Sequence, residues 1–150
     1  MFLLACQNLF GQQVSKLKNS ETLKAELIDS FQRDAISSED ADSRIDNLSF
    51  QLSKHPNSSA FVIIYCGKVC SYGEIEAHLR GIENTLTYKK LDKKRFIIIS
   101  GGFREQATSE LWLVRENDCP PTPTSTVKVS EVKFKGMFKR KMVIYHFSGA

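Results

Sequence analysis

The residues best suited to chemistry in this chain are Cys66 and Cys70, set in a C-x-x-x-C arrangement, with His78 further along. Paired thiols can exchange a disulfide, and thiolates joined by an imidazole can hold a metal ion. Redox motifs usually space their cysteines by two, however, and zinc needs ligands that the neighbouring sequence does not offer beyond His78. The pair reads first as a structural disulfide or two unrelated thiols. A thiol- or metal-dependent enzyme using Cys66, Cys70 and His78 is the alternative. Cys119 leaves a second pairing open, so both Cys66–Cys70 and Cys70–Cys119 stand as candidates.

The remaining polar residues suggest contact more than catalysis. His55, His78 and His146 have no acidic partner or serine nucleophile at a telling distance, and a Ser-His-Asp set needs three converging roles. No Gly-rich phosphate loop, zinc spacing or nucleotide fingerprint occurs. We therefore expect no cofactor, no metal and no enzymatic activity. Arg104 and Glu105 follow Gly101-Gly102 at a strand end, where charged loop residues read first as a turn salt bridge and second as a binding site. Trp112, between Leu111 and Leu113, reads as sheet core or a cap over a helix.

Charge is concentrated at one end. Residues 128–141 hold six Lys or Arg against one Glu, while residues 1–127 hold 15 basic and 16 acidic side chains. Attraction to anionic partners should thus come from the C-terminal segment, because field strength follows local charge. There Lys133-Phe-Lys-Gly-Met-Phe-Lys-Arg-Lys141 interleaves basic and apolar side chains. Such a run reads first as a solvated strand edge protected by lysines and second as a contact for an anionic surface or nucleic acid. We expect a membrane contact only through this tail or a lipid anchor, and no nucleic-acid partner.

The elements that must position these residues follow from apolar periodicity. Residues 23–31 alternate, placing Leu23, Ala25, Leu27, Asp29 and Phe31 on one side of a strand. Ser37-Ser-Glu-Asp40 supplies capping groups for a helix whose stripe is Ala41, Ile45, Leu48 and Leu52, ended by Pro56. Phe61-Val-Ile-Ile-Tyr65 reads as a central strand buried on both faces, and Cys66–Gly73 as a loop. Ile75, Leu79, Ile82 and Leu86 repeat the first stripe, and Phe96–Ile99 and Glu110–Val114 give two further strands about a turn at Gly101-Gly102. The expected fold is α/β, a two-layer α+β sandwich in β-α-β-α-β-β order, with a mixed sheet and two helices on one face.

Flanking segments complete the organisation. Residues 1–22 form an N-terminal lead whose first part, Met1–Gly11, reads as a truncated signal peptide, and Leu3-Leu-Ala-Cys6 is similar to a bacterial lipobox that would lipidate Cys6. An apolar strand or helix of the fold is the alternative there. Residues 23–118 form the body, residues 119–126 a Pro/Thr linker, and residues 127–150 a basic C-terminal tail or a hairpin about Gly136.

The element order, with Ile45-Asp-Asn-Leu48 through Leu52 to Pro56, resembles the C-terminal domain of the OmpA family, the peptidoglycan-associating fold of bacterial envelopes, over about residues 23–116. Ile63-Ile-Tyr-Cys-Gly67, Gly101-Gly-Phe-Arg-Glu105 and Glu110–Val114 before a Pro-Thr linker resemble a group of exported bacterial proteins of no assigned activity. The resemblance implies an extracytoplasmic, non-catalytic binding or envelope-scaffolding module, facing the cell wall or another envelope protein. The family's ligand rests on an Asp in the loop after the second strand and an Arg on the next helix. Here Gly67–Gly73 contains no carboxylate, His78 stands at the Arg position with Arg80 close by, and Lys68 would repel an ammonium. A divergent peptidoglycan-binding domain would need other residues, such as Arg80, Arg104 and Glu105.

Overall fold

The structure, a computed structural model, describes residues 24–139. It is a two-layer α/β fold built on a mixed four-stranded sheet, with a separate two-stranded ribbon. The chain runs β1 (Glu26–Gln32), α1 (Ser38–Ser53), β2 (Ser59–Cys66), β3 (Val69–Tyr72), α2 (Glu74–Tyr88), β4 (Phe96–Phe103), β5 (Thr108–Val114) and β6 (Lys133–Met137). The large sheet has the order β1-β5-β2-β4, with β2 parallel to β4 and antiparallel to β5. The expected signal peptide, the lipobox Cys6 and Leu23 lie outside the described residues, as do Arg140, Lys141 and His146.

Both helices form where their stripes demand it. Ser37 caps α1 by accepting from the Asp40 amide at 3.1 Å, and the Asp40 carboxylate accepts in return from the Ser37 amide. This reciprocal box satisfies amides that the first turn leaves without intrahelical partners. Ile45, Leu48 and Leu52 of α1 and Leu86 of α2 are buried against Ala60, Val62 and Ile64 of β2, Phe96 of β4, and Leu111 and Leu113 of β5. Leu79 and Ile82 of α2 pack at the margin. Each fully buried aliphatic side chain contributes about 1.5–3 kcal/mol by leaving water.

Four expectations change on the structure. In β1 a register shift falls between Leu27 and Asp29. The extra residue reverses the alternation, so Ile28 packs on the core while Leu27 stays 46% exposed. The Cys66–Gly73 stretch is not a loop throughout, because Val69–Tyr72 forms β3. Gly101 and Gly102 do not turn the chain but lie within β4, where the pairing with β2 slips between Ile64 and Tyr65. A Cβ on Gly101 would sit 2.2 Å from the Tyr65 ring, and Gly102 adopts φ +88°, so both positions require glycine. Finally, Gly136 is not a hairpin tip. It lies inside β6, which pairs in parallel with β3 rather than folding back on itself.

The Pro/Thr stretch 119–126 has no regular structure but is fastened to the body. At its start, the Cys119 backbone forms an isolated β-bridge with Lys24, ahead of β1. At the other end the Thr124 amide donates to the Tyr65 hydroxyl at 3.1 Å, and the Thr126 and Val127 amides donate to the Phe103 carbonyl. Tyr65 points away from the helices, since its neighbour Ile64 belongs to the helix-side core. The segment is thus a strap over the helix-free side of the sheet, and buried Val127 locks its end.

Candidate functional site

Three side-chain groups could carry function, and all lie toward the end of the sheet where β2 leads into β3. The first surrounds a disulfide between Cys66, the last residue of β2, and Cys70 in β3. This pairing excludes Cys70–Cys119, and Cys119 is itself disulfide-bonded. Ligand atoms of Cys66, Cys70 and Glu74 lie within 4.8 Å of one another. Bonded sulfurs are neither thiolates nor nucleophiles, so in this state the group neither binds a metal nor attacks a substrate. His78 stands apart from this group, its ring 5.3 Å from that of Phe138.

Next to the disulfide lies an ion pair that the sequence did not reveal. Arg33, just after β1, donates through Nη1 to the carbonyls of Tyr65 at 2.9 Å and Thr108 at 2.7 Å. Its Nη2 is 3.6 Å from Glu74 Oε1, and the two side chains are only 10% and 12% exposed. Glu74 Oε2 accepts from the Ser71 amide at 3.0 Å. Burial pulls the Arg33 guanidinium below its ordinary pKa, while Glu74 and Asp34 pull it back up. A guanidinium stays charged through the physiological range regardless. Arg33 therefore ties β1, β2 and β5 to the start of α2 and steadies the strand that carries Cys70.

The second group is a polar node on the helix-free side. Glu110, 8% exposed, accepts through Oε1 from Arg104 Nη2 at 2.7 Å. Through Oε2 it accepts from the Tyr65 hydroxyl and from Trp112 Nε1, both at 3.1 Å. The Arg104 guanidinium also lies 3.5 Å over the Tyr65 ring and donates to Thr124 Oγ1 and the Thr124 carbonyl. A buried carboxylate with a paired guanidinium and two further donors is satisfied within the fold. Arg104 therefore clamps the strap. Trp112 is half-buried here, on the side of the sheet away from the helices.

The third group is the β3–β6 ribbon. All five residues of β6 are exposed. Val69, Tyr72, Val129, Phe134 and Met137 account for most of the chain's exposed large apolar side chains among the described residues. Tyr72 stacks on Phe134 at 5.0 Å, and Phe134 meets the edge of Phe103 at 5.9 Å. Lys133 and Lys135 alternate with Phe134 along the strand, and Lys128 and Lys139 flank it, all exposed. At the foot of the ribbon an open groove of about 620 Å³ is lined by Asp34, Lys68, Val69, Glu105 and Lys133, among others.

The three residues expected to meet a ligand are not gathered into one site. Glu105 lines the groove and pairs with Lys68 at 3.3 Å. Arg104 is engaged beneath the strap, and Arg80 is exposed on α2, away from the groove lining. Sequence reasoning missed Arg33, Glu74 and Glu110; the Arg33–Glu74 pair and the Tyr65–Glu110 bond join segments far apart in the chain. It did single out the basic and apolar run of β6.

Among the described residues no helix is long and apolar enough to cross a membrane. Comparison with family models, curated proteins and solved structures returns no match.

Proposed function

We propose that this chain is a non-catalytic binding module of the bacterial envelope, working outside the cytoplasm, whose working surface is the β3–β6 ribbon. The observation that carries this reading is the disulfide that fastens an exposed aromatic and basic ribbon to a rigid sheet. Structural disulfides persist in oxidising compartments and are rare in the cytosol. A large exposed apolar cluster on a small domain marks a contact surface. The charges of Glu74, Arg104 and Glu110 support the same reading, because each is met by a partner side chain or the backbone, while Arg33 hydrogen-bonds through Nη1 only. The β-α-β-α-β-β order that underlies the OmpA-like resemblance is kept by the elements of the large sheet and its two helices, with β3 interposed before α2.

The test is thiol trapping in the native host. Cells are alkylated before lysis, fractionated, and the chain is mapped by mass spectrometry. Cys66 and Cys70 are expected to resist alkylation until reductant is added, in an extracytoplasmic fraction. Recovery from the cytosol with both cysteines alkylated would overturn the proposal.

A further inference from the structure

We infer that the β3–β6 ribbon binds the surface of an anionic phospholipid bilayer. The inference deepens the binding-module reading and rests on it. Three observations point to lipid. First, the ribbon stands out from the body: β6 is exposed along its whole length, and Tyr72 and Met137, paired across the two strands, are 55% and 73% exposed. Water is a poor neighbour for such side chains, whereas the boundary between headgroups and acyl chains receives aromatic and apolar groups.

Second, the charge complements a lipid surface. Lys128, Lys133, Lys135 and Lys139 surround these apolar groups, and Glu131 is the one acidic residue of the segment. The remainder of the chain is close to neutral, so attraction orients the molecule ribbon-first. Third, the cations are lysines. A flexible stem lets the ammonium reach a phosphate layer while its methylenes lie along the apolar surface. Arginine, whose planar fork favours bidentate recognition of nucleic acid, is absent from residues 128–139 and follows only at Arg140. The ribbon is held in place, because Cys66–Cys70 ties β3 to β2 of the large sheet and the Lys133 amide bond to the Lys68 carbonyl, 2.8 Å, ties β6 to the foot of β3.

The experiment is co-flotation of the full oxidised chain with two kinds of vesicle, phosphatidylcholine alone and an equal mixture with phosphatidylglycerol. Binding to the mixed vesicles, weakened by salt and absent on phosphatidylcholine, is expected. K133Q/K135Q is expected to lower the partition coefficient about thirty-fold, and Y72S/M137S to abolish flotation. Both variants alter exposed positions, and an unchanged thermal melt confirms that they fold. Equal flotation with both vesicles, flotation with neither, or full displacement by a non-specific DNA duplex would overturn the lipid assignment. Thiol trapping reads the compartment independently, so a chain that is oxidised and exported but does not float would sink the lipid inference alone.

Discussion

Glu110 and Tyr65 show how much of this fold rests on single side chains. Glu110 accepts from Arg104, Tyr65 and Trp112 in a site only 8% exposed. Replacing it with Ala would remove the carboxylate partner of the partly buried Arg104 and leave the Tyr65 and Trp112 donors without their acceptor, so E110A should lower unfolding free energy by about 1–3 kcal/mol, read from urea denaturation. Gly101→Ala should also destabilise, by about 1–3 kcal/mol, because the added carbon would strike the fully buried Tyr65 ring. A melt of G101A at or above that of the parent would disprove the close approach. None of this was legible in the sequence. Glycines in a row suggest a turn, and nothing local announces that Tyr65 reaches Glu110 from another strand or that Arg33 meets Tyr65, Thr108 and Glu74. The opposite holds for β6, where the alternation of lysines with aromatics is by itself the mark of an exposed surface.

At the level of elements, what could be read depended on the range of the forces involved. The two helices were legible because a stripe at the helical period and a local cap are both written in adjacent residues. Ser37→Ala should therefore cost about 1 kcal/mol, seen as a lower urea midpoint with an unchanged slope. Strand β3 was not legible, since four residues cannot show a period and their partner β6 lies far along the chain. The bulge at Leu27–Asp29 hid for a similar reason: pairing with β5 sets it, and propensity does not. The short loop closed by Cys66–Cys70 should contribute only about 2 kcal/mol. The C66S/C70S variant, which removes this bond alone, should accordingly keep the large sheet folded while amide exchange quickens in β3 and β6. Equal protection in the parent and the variant would show that the bond does not hold the ribbon.

For the whole molecule, the sequence located the α/β layering but mistook the strap. Proline and threonine without apolar residues compose a linker, and remote anchors at Lys24, Tyr65, Phe103 and Arg104 convert that stretch into a cover. A chain truncated after Asp118 should lose that cover, and its single tryptophan, Trp112, should report the change as a red-shifted, more quenchable fluorescence. An unshifted spectrum would mean the strap does not shield that side of the sheet.

The parallel pairing of β3 with β6 also bears on the order of folding. Val69 meets Lys133 and Cys70 meets Phe134, and parallel strands joined over so long an intervening stretch pair only after the loop-closure entropy between them has been met. Helix α2, strands β4 and β5 and the strap all lie within that stretch. Because β6 is the last of the described strands, a nascent chain lacks the ribbon until everything before it has been made. Whatever docks there samples finished molecules only, so the architecture carries its own proofreading step.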